Sequence, residues 1–140
     1  MAYTVLLIES ELARADQLAN ALGPAGAVVR TAVDLAAARE VLAAGPVEAV
    51  VVRHLLPDGS AFDLAPAAPG AALLIGVEKG DEAVAARALD LGFDDCLVFD
   101  GSGGYLDVLA HQVGTAVARR QAQTRSVLVN ERVARQNQLL

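Results

Sequence analysis

In open α/β sheets, ligands and reacting groups gather just beyond the carboxyl ends of the strands. Four such places can be read from this sequence: Glu9 and Ser10, Arg53 and His54, Val77 and Glu78, and Phe99 with Asp100. The segment VVRHLLPDG, residues 51–59, ends an apolar run in a proline turn, as strands that present a reactive carboxylate often do, yet the strand-end position holds Arg53. A guanidinium carries donors only and cannot attack phosphorus. Arg53 has two readings: a partner for Glu9 that builds a positive charge into the strand ends, or a solvent-facing arginine at a strand terminus.

The remaining chemistry-bearing residues offer no nucleophile with a base. The two histidines, His54 and His111, fall on different predicted elements, so an enzyme is not expected. His54 has no second nitrogen or thiolate at ligand spacing and reads as structural. Asp58 is a conceivable acceptor, but within LPDG it better suits a turn cap. Of the acidic cluster Glu78, Asp81 and Glu82, the latter two open a helix, where the macrodipole favours acids. No glycine-rich phosphate loop of Walker or dinucleotide type is present, and GSGGY at 101–105 most simply loosens a turn. The single cysteine, Cys96, forms no internal disulfide and reads as a small core residue. No metal and no cofactor are expected.

Short apolar runs that could place these residues recur at 4–8, 27–32, 48–52, 72–77 and 96–99. Their brevity and their Val, Leu and Ile content suit strands buried on both faces of a parallel sheet. Between them lie amphipathic helical stretches. Residues 9–23 place Leu12, Ala15, Ala19 and Leu22 on one face and stop at Gly23-Pro24; residues 34–46 open on Asp34 and stop at Gly45-Pro46; residues 80–92 carry acids in their first turn and end at Gly92. The third helical stretch holds Pro66 and Pro69, which limit it to two turns after Ser60. Strand alternating with helix five times predicts a doubly wound α/β sandwich.

A chain of 140 residues fits one domain with a single core. No apolar string approaches the roughly 20 residues of a membrane span. The start, MAYTVLLIES, has no basic leader or cleavage site, so a cytoplasmic location is expected and no membrane partner. Residues 1–104 hold 6 basic and 15 acidic side chains, a net of −9, and residues 105–140 hold 5 and 2, a net of +3. The acidic part should repel nucleic acid, and the diluted arginines of the tail, with no aromatics among them, read as a solvated helix face.

VLLIES, VVVRHLLPDG and GDEAVAARALDLGFDDCLVF, with LPDG and LGFDD the most recognisable pieces, resemble the receiver domains of two-component response regulators across residues 3–118. That resemblance implies a flavodoxin-like, five-stranded parallel sheet of order 2-1-3-4-5. It also implies a site of two acids, a phosphoacceptor aspartate, a Thr or Ser and a Lys. By position these fall on Glu9 and Ser10, Arg53, Val77 and Phe99, and the aromatic switch residue falls on Cys96. With one carboxylate left and a cation beside it, Mg²⁺ lacks its oxygen ligands, and phosphoryl transfer loses positioning and charge neutralisation. The resemblance therefore implies a pseudoreceiver.

From Tyr105 to Leu140 there is no proline and one glycine, Gly114, so a single helix is expected. Its first part carries the stripe Leu106, Leu109, Ala110, Val113, Ala116 and Val117; RRQAQTRS then interrupts it, and Val127, Leu128 and Val133 resume it. Residues 1–118 read as the domain and 119–140 as a connector able to form a weak coiled coil. The chain stops mid-pattern, as though helix and protein continued. The expected role is a non-phosphorylatable module of a phosphorelay that works by protein contact, with a partner or an attached output domain and homodimer formation through the connector. The alternative is a sensor of a small ligand, or of phosphorylation at a non-standard residue, in the altered strand-end pocket.

Overall fold

The computed structural model describes residues 3–64, 68 and 70–139; in the last helix it describes side chains through residue 126 and at 129 and 132. Five strands form one sheet: β1 (Thr4–Ile8), β2 (Val28–Ala32), β3 (Ala49–Arg53), β4 (Ala72–Glu78) and β5 (Asp95–Phe99). All neighbours are parallel, in the order β2-β1-β3-β4-β5. The helices are α1 (Leu12–Leu22), α2 (Leu35–Ala44), α3 (Glu82–Asp90) and α4 (Gly104–Leu139). The sheet is covered on both faces, and its middle strands β1, β3 and β4 are buried almost throughout, which explains why they read as continuous apolar runs.

Side-chain alternation along the strands divides the core in two. Val5, Leu7, Ala49, Val51, Ala72, Leu74 and Leu97 face α1 and α4, while Leu6, Ile8, Val50, Val52, Leu73, Ile75 and Val77 face α2 and α3. Leu12, expected on the buried face of α1, is 70% exposed because it opens the helix past the sheet's edge; Leu18 packs in the core together with Ala15 and Leu22. α2 is capped twice. Asp34 accepts from the Ala37 amide at 2.9 Å, and Asp58, reaching in from the LPDG turn, accepts from the Leu35 and Ala36 amides at 2.9 and 3.0 Å. LPDG itself closes a small antiparallel ribbon, Leu55–Leu56 with Gly59–Ser60.

Among the described residues, the third helical stretch shows one 3₁₀ turn, Ala61–Asp63, held by a reciprocal capping box between Ser60 and Asp63. Residues 65–67 and 69, which include both prolines, lie outside the described residues.

α4 runs unbroken for 36 residues, about 54 Å at 1.5 Å per residue. Leu109, Val113, Ala116 and Val117 are buried against the sheet. The last anchor among the described side chains is Arg120, two residues past the expected boundary. Its Nε donates to both oxygens of Asp94 at 3.0 and 3.1 Å, and its Nη2 donates to the Gly92 carbonyl at 3.1 Å. Asp94 in turn accepts from the Leu73 amide at 2.7 Å, so the helix is tied to the entry of β4. Residues 121–126 are all exposed. The side chains of Val127, Leu128 and Val133 lie outside the described residues.

A chain ending after Arg120 should therefore unfold cooperatively in urea with nearly the full-length midpoint. Adding Arg120→Met should cost it about 1–2 kcal/mol, because the lost hydrogen bonds are charged but partly in water. Loss of cooperative unfolding in the shortened chain would show that residues beyond Arg120 belong to the core.

Candidate functional site

Strand register and alternation decide which strand-end residues meet. Glu9 continues the α1 and α4 face of β1, Arg53 that of β3, Gly76 and Glu78 that of β4, and Phe99 that of β5. Arg53 lies directly across from Gly76, and Glu78 across from Phe99.

Arg53 and Glu9 form the centre. Arg53 Nη1 donates to Glu9 Oε1 at 2.8 Å, and the same oxygen accepts from the Glu11 amide at 3.0 Å. Glu9 is 1% exposed, and its Oε2 is buried with no hydrogen-bond partner among the described residues. Of the two sequence readings of Arg53, the ion pair is the one adopted. Arg53 Nη2 also donates to Glu78 Oε1 at 3.3 Å, and Nη1 lies 3.8 Å from Glu11.

Arg14, in the first turn of α1, was not singled out by sequence. Its Nη1 donates to Glu78 Oε1 at 3.1 Å, and its guanidinium lies 4.3 Å from the centre of the Phe99 ring. Burial lowers the Arg14 pKa, but Glu78, Tyr105, Glu9 and Glu11 more than compensate, so it ends above the usual value for arginine. Phe99 is buried, and it meets Tyr105 edge to face at 5.0 Å. Its ring lies over Gly76, where any side chain would collide with it. Only a period-2 reading tied to strand register could have found Gly76, because the apolar run ALLIGV gives no sign of which face is which.

Val77 does not join this group. One residue further along β4 the side chain points to the opposite face, and Val77 is buried in the α2 and α3 core. Gly76 takes the place opposite Arg53. Ser10 makes no side-chain hydrogen bond among the described residues. Cys96 is half-buried on the α2 and α3 face, and burial, then Asp95, pushes its thiol pKa up. His54 packs edge to face on Phe62 at 5.6 Å. Asp58 is held below the ordinary carboxylate range chiefly by the Leu35 amide, with the Ala36 amide adding to it. Asp100 is likewise lowered, first by the Ser102 hydroxyl at 2.7 Å.

These residues do not fit a divalent cation. One Glu9 oxygen is taken by Arg53, and two guanidiniums converge on Glu78, so a second cation would meet like charge at each carboxylate. Among the described residues, no group of three His, Cys, Asp or Glu side chains could hold a metal ion. The cleft left beside Arg53, His54, Gly76, Glu78 and Asp81 measures about 40 Å³. That is room for ordered water and far below the roughly 300 Å³ at which ligand pockets begin.

The strand order and layering are those of the flavodoxin-like receiver fold. A response regulator structure from Chloroflexus aurantiacus is 21% identical with a TM-score of 0.74, covering 84% of this chain and 99% of its own. Full-length FixJ from B. japonicum is 23% identical with a TM-score of 0.77, over 94% of this chain and 66% of that one. NtrX from Brucella abortus, in complex with ADP, is 20% identical with a TM-score of 0.81, over 96% of this chain and 30% of that one. At these identities the likeness is one of fold. No protein-family profile matches the chain, and no curated protein matches it in sequence.

Because Glu9 is buried and held by one cation, Arg53→Met alone should cost more stability than Arg53→Met with Glu9→Gln. Removing one partner of a buried pair costs about 3–5 kcal/mol, and the exposed part of Arg53 places the single variant near the lower end. Urea denaturation of the two variants checks this. Equal stabilities would mean that water replaces Arg53 at no cost.

Proposed function

We propose that this chain is a non-phosphorylatable receiver-like signalling module of a two-component phosphorelay, one that works by protein contact. The observation that carries the reading is the Arg53 guanidinium, 2.8 Å from Glu9, at the strand-end position where receivers carry their acceptor aspartate. A fixed cation there supplies permanently what a transferable phosphate and its metal would supply transiently, an occupied charge-balanced site. By the resemblance, Phe99 stands where the lysine that neutralises phosphate would fall, and Val77 where the hydroxyl would fall.

The sensor alternative has less behind it. The strand-end cleft is small, and the larger clefts, about 380 and 390 Å³, lie away from it, beside Val47 and Ala71 and beside Arg120 and Thr124. The Asp58 carboxylate is occupied as a helix cap. Partner contact through the face made by α3, β5 and the start of α4 is supported by Leu89, Leu91 and Val108, each about half exposed. The unbroken helix past Arg120 favours relay to a partner or to an attached output domain. FixJ and NtrX, whose matched parts are only 66% and 30% of their chains, are receiver-like folds within longer proteins. No described helix is long and apolar enough to cross a membrane.

Incubation with acetyl phosphate or beryllofluoride and Mg²⁺ should leave the intact mass and amide spectrum unchanged. An adduct on Asp58, His54 or any other side chain would overturn the reading. Arg53→Asp alone should stay unlabelled, since Phe99 still covers Gly76; efficient labelling of that variant would mean the acceptor was the only missing part.

The connector reading includes self-association, since a lone helix of this length is marginal in water. Sedimentation of the full chain over a concentration series should show a monomer–dimer equilibrium that is lost in the chain ending at Arg120. Equal monomeric masses would remove the coiled-coil role.

A further inference from the structure

The network around Arg53 does not stop at the strand ends. A single oxygen, Glu78 Oε1, receives Arg53 Nη2 from β3 at 3.3 Å and Arg14 Nη1 from α1 at 3.1 Å. The Arg14 guanidinium lies on the Phe99 ring, and Phe99 meets Tyr105, the second residue of α4. Contacts thus run without a gap from buried Glu9, through Arg53, Glu78, Arg14 and Phe99, to the root of the long helix. Arg14 is only 18% exposed at its side chain and Phe99 is buried, so the stacking is largely shielded from water. Two guanidiniums sharing one acceptor oxygen are coupled by geometry, because displacement of either changes the partner available to the other. Gly76 is part of the arrangement, since only a residue without a side chain lets the Phe99 ring lie where Arg14 can cover it.

We propose that Arg14 is a positioning residue that links the strand-end cation to the first turn of α4 through Glu78 and Phe99. The link rests on the reading of Arg53 as a built-in substitute for the site's chemistry, and it explains how such a site governs the helix: the docking of Tyr105 and the turn that follows is set by a fixed charge. A lysine at position 14 would keep the ion pair but lose the flat face that stacks on the ring.

Amide hydrogen exchange of the full chain tests it, read at residues 106–110 and, as controls, at 113–118 and β1. Arg14→Lys should speed exchange at 106–110 about three- to tenfold, the range expected for a shielded cation–aromatic contact, and leave the controls unchanged. Arg53→Met with Glu9→Gln, two residues with no hydrogen bond or ion pair to α4 among the described residues, should speed the same amides, and combining it with Arg14→Lys should add less than the sum of the two effects. If the double variant fails to fold, Glu78→Gln takes its place with the same readout. Wild-type exchange at 106–110 in the strand-end variant, additive effects, or uniform acceleration across all segments would each overturn the link. None of these variants creates an acceptor carboxylate, so that failure is separate from labelling of the wild-type chain, which would overturn the functional reading instead.

Discussion

A carboxylate buried at the edge of a sheet must have a counter-charge, because the protein interior cannot solvate it as water does. Glu9 is in that position, and Arg53 meets it at 2.8 Å. Much of the site follows from this pair. Once the guanidinium is drawn to Glu9, its second nitrogen reaches Glu78, which also holds Arg14 over Phe99. The carboxylates at the strand ends are thus balanced by arginines from within the chain. Burial of such a pair is weak evidence for extra stability; its clearer consequence is specificity, since few arrangements of these side chains leave no buried charge alone.

The second constraint is steric. The Phe99 ring lies over Gly76, and the remaining cleft of about 40 Å³ lies beside Arg53. Charge and volume therefore act at the same place: the guanidinium balances Glu9, and the ring fills the space above Gly76.

The two ends of α4 contrast in the same physical terms. Near its start, buried Leu109, Val113, Ala116 and Val117 make it part of the core, and Arg120 closes that contact with charged hydrogen bonds to Asp94. Beyond it, residues 121–126 are exposed around the whole helix, and the change follows the point where RRQAQTRS breaks the apolar stripe. Backbone hydrogen bonding continues unchanged, so helix length is independent of where packing ends.

Much of the architecture was legible in the residues alone. Uniformly apolar strands, the Asp34 cap and the glycines after the helices all act over a few neighbouring residues, and local sterics and hydrogen bonding fix them. The same holds for the chemistry of Arg53 itself, whose guanidinium carries donors only. The composition of the site was not legible in this way. Which of Gly76 and Val77 faces Arg53 depends on register, and a shift of one residue reverses the face. Arg14 and Glu78 are 64 positions apart, and their meeting depends on how α1 packs across the sheet. Asp58 lies in a recognisable turn motif, yet its partners are the Leu35 and Ala36 amides of a different helix. The sequence by itself determined which functional groups stand at each strand end, because that is a matter of residue identity. Tertiary structure decided which charges answer each other, because that depends on distances between segments that no local pattern records.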